Sequence, residues 1–182
     1  MSPSAEEAAQ ALREIDAIKA RAAGFQDYQA ESAQLILWGA ANSIGLVASA
    51  LFEQHLLLIW VPLVLLCLVA GALLARRTNA LLPGIGWRYL LILGAILFLI
   101  VALHAVFWPL SPEQGAMIAP LFVGVLYFLR GVLLRPRYLV IGGALAGLSL
   151  LSFLFAGPWF WWAMAMTWGG TLMLSGVWLG RL

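Results

Sequence analysis

The sequence predicts an all-α integral membrane protein, a six-transmembrane-helix bundle of three helical hairpins with an N-terminal cytoplasmic amphipathic helix. Three observations lead there. Of 182 residues, 64% are hydrophobic and 10% charged, and the mean hydropathy is +0.98; a soluble domain carries about 25% charged residues. The apolar residues fall into six runs, each close to the ~20 residues that span ~30 Å of hydrocarbon. All ten Lys and Arg residues lie on one side of the alternation those runs impose.

Residues 1–32 form a separate segment. They hold six of the eight acids (Glu6, Glu7, Glu14, Asp16, Asp27, Glu31) together with Arg13, Lys19 and Arg21. Ser4 followed by Glu7 is a capping box, and Leu12, Ile15 and Ala22 recur near helical spacing. A helix is therefore expected over 4–22, ending near Gly24. A secretory signal opens on a basic head and a short apolar core; this start is acidic and polar, so no targeting sequence is expected.

The second unit, 33–182, holds spans at 33–52, 56–75, 89–108, 117–134, 138–156 and 159–180. Backbone groups in lipid must be satisfied within their own segment, so each span is read as a helix. The interruptions Glu53–His55, Pro109–Ala116 and Gly157–Pro158 contain no Lys or Arg. Arg76, Arg77 and Arg88 separate the second span from the third. Arg130, Arg135 and Arg137 surround the next such junction, and Arg181 follows the last span. The positive-inside rule then puts both termini in the cytoplasm of a multi-pass cell (inner) membrane protein. Arg130 is the one charge within a span, near its end, where its long side chain is expected to snorkel to water.

An internal echo accompanies this alternation. Arg88-Tyr89-Leu90 opens the third span and Arg137-Tyr138-Leu139 the fifth, with Gly94 and Gly143 in the same register. It reads either as two copies of one helical hairpin, with the first two spans a more divergent third, or as the likeness of apolar hairpins that share a composition.

Two groups of residues are candidates for function. Ala163, Thr167, Thr171 and Ser175 follow one another at i+4 in the sixth span, a stripe that with Asn42 either lines a solute pathway or packs closely. Gly143 and Gly147 form a GxxxG in the fifth span and are expected to meet the sixth at Thr167 and Thr171. Ala41, Gly45 and Ser49 repeat the spacing in the first. The other group is Glu53, His55, His104 and Glu113, all mapped to the outer side. Two imidazoles and two carboxylates are donors suited to a divalent ion or a pH sensor. Their spacing matches no ligand motif, and no metal or haem site is expected.

The tryptophans follow the boundaries. Trp60, Trp108, Trp159, Trp161 and Trp162 fall toward the outer one and Trp38, Trp87 and Trp178 toward the inner one, as an aromatic belt requires. Trp168 is the exception, near mid-span beside Gly169 and Gly170, where it is expected to fill the gap they leave or to stack on an apolar ligand.

The absences narrow the function classes. No carboxylate lies in the middle of a span to relay protons or sodium, and no GxSxG, HExxH or P-loop is present. A single cysteine, Cys67, excludes an internal disulfide and a CxxC metal site. The formal charge of +2 is too small to argue for a nucleic-acid partner. No enzymatic activity and no cofactor are expected. The reading is an accessory or sensory membrane subunit that acts by oligomerisation or through a membrane protein partner. The alternative is a passive channel or facilitator for a small neutral solute or anion.

The stretches 26–45 and 169–181 resemble segments of small six-helix bacterial membrane proteins, and the resemblance implies no activity. No motif is shared with the six-helix urea and amide channels.

Overall fold

A computed structural model of the chain describes residues 10, 12, 14, 15, 28–79, 85–133 and 135–181. Among these residues there is no strand, and the chain is a succession of helices. They are α1 (Tyr28–Leu51), α2 (Leu56–Asn79), α3 (Ile85–Val106), α4 (Pro112–Leu133) and α5 (Arg137–Phe155). The last helical stretch runs without a break through α6 (Phe160–Met164), a π-helical turn (Ala165–Gly169) and α7 (Gly170–Gly180). Four segments are long and apolar enough to cross a membrane: Glu31–Leu51, Glu53–Leu74, Pro112–Leu133 and Arg137–Phe155. In α3 the described apolar stretch is shorter, Leu90–Val106.

Helix ends follow local chemistry more than hydropathy. α4 begins at Pro112, ahead of the expected 117, because Ser111 and Gln114 form a capping box. The Gln114 N–H donates to Ser111 Oγ at 3.2 Å and the Ser111 N–H donates to Gln114 Oε1 at 3.0 Å, with proline in the first helical position where no N–H is missed. α1 begins at Tyr28, so Glu31 and Ser32 lie inside the first long helix. After α5 the chain reverses at Gly157, whose φ of +50° is a left-handed conformation that glycine adopts without steric cost. Most of the helix expected over 4–22 lies outside the described residues. Gln10, Leu12, Glu14 and Ile15 are helical and exposed.

The buried core belongs to four helical stretches. α1 supplies Leu35 and Leu46, α4 Met117, α5 Tyr138, Ile141 and Leu145, and the last stretch Phe160, Met164, Trp168 and Leu172 among others. No member comes from α2 or α3 among the described residues. That hairpin packs outside α1, where Gly45 receives Trp60 and Leu63 and Gln34 Nε2 donates to the Gly71 carbonyl at 2.9 Å. Cys67 is buried in α2. Leu57, Leu58, Phe98 and Val101 are among the many large apolar side chains exposed on α2 and α3.

Small residues set the two tightest helix pairs. α1 runs antiparallel to the last stretch, with Ser32, Gly39 and Ser43 against Gly176, Gly169 and the start of the π turn. A Cβ on Gly39 would lie 2.7 Å from Met173 N and 2.9 Å from Gly169 O, and one on Gly176 2.8 Å from Ser32 O. Ser32 Oγ donates to the Gly176 carbonyl at 2.7 Å. A π turn displaces backbone carbonyls from their regular partners, and Ser43 Oγ donates to one of them, Ala165 O, at 3.1 Å. The second pair is α4 with α5, joined by a tight turn and closed by Gly124, Gly131 and Gly142. A Cβ on Gly142 would come within 2.5 Å of Gly124 O, and one on Gly124 within 2.9 Å of Ala146 Cβ.

The expected contact of Gly143 and Gly147 with the sixth span is overturned. Both glycines are exposed, and among the described residues no neighbouring atom lies within 4 Å of where a Cβ would stand. The motif at work is Gly142 and Ala146, the same spacing displaced by one residue and therefore rotated about 100° around the helix.

Candidate functional site

The most strongly polar assembly in the bundle lies at its arginine-bearing end. Arg130 is near the C-terminus of α4, Tyr138 opens α5, and Glu31 sits on the first turn of α1. Arg130 Nη1 donates to Glu31 Oε1 at 2.5 Å, with the two side chains 31% and 15% exposed. The Tyr138 hydroxyl donates a short hydrogen bond to the other carboxylate oxygen, Oε2. The Arg130 guanidinium also lies 4.5 Å from the centre of the Tyr138 ring. Tyr127, on α4 one turn before Arg130, brings its ring to 5.9 Å from that of Tyr138.

Arg130 therefore does not simply snorkel. Where a guanidinium is held away from bulk water, an opposite charge at contact distance is worth more than in solution, and the ring face adds a cation–π contribution. One carboxylate, received by two helices, ties α1 to the α4–α5 hairpin. The group's carboxylate and hydroxyl are engaged with each other and with the guanidinium. Its chemistry is charge compensation and helix registration. Residue reasoning missed it because Glu31 was grouped with the segment before the first span. A usable signal was present: an arginine within a span requires a counter-charge, and Glu31 is the acid nearest a span boundary on that side.

Arg135 and Arg137 flank Pro136 in the α4–α5 turn, and both are half-buried. The Arg137 guanidinium lies 5.9 Å from the centre of the Trp178 ring on α7, which links the turn to the last helical stretch. Arg181, exposed, follows within a turn.

In the expected Thr/Ser stripe, Thr167 reaches a hydroxyl of another helix. Thr167 Oγ1 donates to the Ala163 carbonyl at 2.9 Å and lies 3.0 Å from Ser152 Oγ of α5. Thr171 is half-buried and Ser175 buried. Asn42 Nδ2 donates to Trp38 O of its own helix at 2.7 Å. Ser149, one turn from Ser152, is buried, and its hydroxyl has no hydrogen-bond partner among the described residues. Two concavities among the described residues are open surface clefts. One is walled by α1 from Ser43 to Leu51 and by Phe52, the other by Glu53–Leu58.

The candidates at the opposite end are placed as follows. Glu53 and His55 stand exposed in the 3₁₀ turn between α1 and α2. His104 is half-buried on α3, with Nδ1 2.8 Å from the Ile100 carbonyl, and its Nε2 would lie 2.8 Å from a Cβ on Gly115. It is therefore against the first turn of α4, which also carries Glu113. No three His, Cys, Asp or Glu side chains come together in a metal-holding group among the described residues.

Two tryptophans have structural roles. Trp168 is buried within the core at the π turn. Trp60, expected in the boundary belt, is half-buried and donates its indole N–H to Ser49 Oγ of α1 at 3.1 Å. With the geometry in place, comparison with known proteins adds no relative: no family model matches the chain, and no curated protein or solved structure matches it.

Proposed function

We propose that this is a non-enzymatic polytopic membrane protein of the cell (inner) membrane, with six spans and both termini cytoplasmic, acting as a homo-oligomer or through a membrane protein partner as an accessory or sensory subunit. The observation that carries the reading is the uncovered Gly143–Gly147 face of α5. Among the described residues no atom lies within 4 Å of where a Cβ on either glycine would stand, and Val140, Leu150, Leu151 and Leu154 beside them are exposed. In lipid, association is driven by close backbone approach at small residues. Copies inserted with one orientation present this face in parallel, the arrangement GxxxG favours. Ser32, Gln34 and Ser43 of α1 use their side chains to join it to other helices, which supports a packed bundle over a reaction site.

The experiment is cross-linking in native membranes of a Cys67→Ala background carrying Leu151→Cys. A dimer band is expected, with its loss in Gly147→Leu while the monomer remains folded. A monomer at all concentrations in wild type overturns the oligomeric reading.

The second reading, a passive channel or facilitator for a small neutral solute or anion, draws on the hydroxyl layer of Ser152 and Thr167 around the π turn. It is tested by solute flux in proteoliposomes. Solute-dependent flux abolished by Thr171→Leu, in protein that still folds, would replace the first reading with this one.

A further inference from the structure

We propose that one water molecule is held in the seam between α4 and α5, bridging the Ser149 hydroxyl and the carbonyl of Ala116 that Pro120 leaves without its regular donor. Two independent observations carry it. The first is the hydroxyl. Ser49, Ser152 and Thr167 each donate to the carbonyl four residues earlier in their own helix. Ser149 does not: its Oγ has no hydrogen-bond partner among the described residues, and the side chain is 0% exposed. A buried hydroxyl without a partner gives up its hydration with no bond in exchange. The second is the carbonyl. Pro120 lies inside α4 and is fully buried. It has no N–H, so Ala116 O cannot receive the regular i→i−4 bond. In membrane helices such freed groups are met by hydroxyl side chains, neighbouring helices or ordered water.

The packing brings the two groups to one place. α4 and α5 are antiparallel, and a Cβ on Gly142 would meet Phe128 while one on Gly124 would meet Ala146. In that register each step back along α4 matches a step forward along α5, so Ser149 stands opposite Leu121, beside Pro120. Both residues lie on the faces that meet: Pro120 is one turn before Gly124, and Ser149 is two turns after Gly142. Ala116, a turn further back, packs against the core. Its carbonyl points along α4 toward position 120, which leaves the oxygen about 5 Å short of Ser149 along the axis by the helical rise. That is too far for one hydrogen bond and within the reach of two, each about 2.8 Å, through a single water. Two polar partners meet the minimum for a buried water. The backbone contact at Gly124, one turn away, closes the seam and limits the occupant to that size. Water donates to the carbonyl, and the hydroxyl can donate to the water.

The inference stands apart from the oligomeric reading and from the orientation in the membrane. It is tested on the full chain by thermal unfolding, in one detergent, of the wild type, Ser149→Ala, Pro120→Ala and the double variant. Pro120→Ala returns an N–H to the Ala116 carbonyl, so the bridge has nothing left to serve there. Ser149→Ala is expected to lower the unfolding temperature of the wild type by about 2–4 °C and to leave that of Pro120→Ala nearly unchanged. Equal losses in the two backgrounds, or no loss in the first, overturn the proposal. A crystal structure of the wild type at a resolution that shows ordered water gives the direct reading, and it decides alone should Pro120→Ala not fold. Density for one water within hydrogen-bond distance of both Ser149 Oγ and Ala116 O is expected. A Ser149 hydroxyl that donates to the Leu145 carbonyl or directly to Ala116 O, with no water between the helices, overturns the proposal, whether or not copies of the chain associate.

Discussion

Arg130 shows at the residue scale how one charge organises its surroundings. Its counter-ion lies on α1 and its aromatic face on α5, so the three groups stand or fall together. Removing one member of a shielded pair leaves the other uncompensated, which costs more than removing both. Arg130→Met alone is expected to destabilise by about 1–3 kcal/mol, and adding Glu31→Gln should recover part of that loss. Thermal unfolding of the two single variants and the double variant in one detergent checks it; strict additivity would mean that the pair is not coupled. Tyr138→Phe keeps the ring beside Arg130 and removes only the hydroxyl donated to Glu31. A loss of about 1.5 kcal/mol is expected, the low end for a hydrogen bond to a charged group, and unfolding of this variant measures it.

At the scale of elements, α5 carries two overlapping small-residue motifs, and only one is used inside the molecule. Gly142 is pressed against the backbone of α4 at Gly124 and Phe128, whereas Gly147 faces outward with open space. Gly142→Ala is expected to separate the hairpin and cost about 1–3 kcal/mol or more, since the atoms in the way are backbone and cannot turn aside. Gly147→Leu should leave the monomer's unfolding temperature unchanged or raised. Size-exclusion chromatography and thermal unfolding of the two variants decide it; equal loss of fold in both would contradict the assignment of the faces. The π turn is the second such element. Its displaced Ala165 carbonyl is met by Ser43, so Ser43→Val, close in size but without the hydroxyl, is expected to loosen α1 from the last helical stretch by about 1 kcal/mol.

For the whole molecule, a four-part core with the α2–α3 hairpin outside it means that the helices do not contribute equally. α2 and α3 present Leu and Phe to the surroundings and bury little. In lipid that surface is at equilibrium; in water it would be a liability. The proposed topology rests on the distribution of charge and is checked by accessibility in a Cys67→Ala background. A cysteine at Ala8 is expected to stay protected from an impermeant thiol reagent in intact cells, and one at Gln114, exposed at the head of α4, to react. The reverse pattern overturns the orientation.

Composition, apolar run length and the alternation of arginines were enough to predict helices and their approximate extents, because these quantities are local and sum over many residues. The capping box at Ser111 and Gln114 was equally legible, being a signal confined to four residues, though hydropathy alone passed over it. The choice between Gly142 and Gly143 was not legible. Both stand at the spacing that permits close approach, and a rotation of about 100° separates them; only the direction from which α4 arrives selects one. The partner of Arg130 was undecided for the same reason, since Glu31 lies far along the chain and meets it only once α1 has docked. The π turn, too, depends on contacts far apart in the chain: the Ala165 carbonyl accepts from the Gly170 N–H of its own helix and also from Ser43 of α1. Periodicity along one chain determines which faces can pair, and the competition among those faces for partners is resolved only in the assembled bundle.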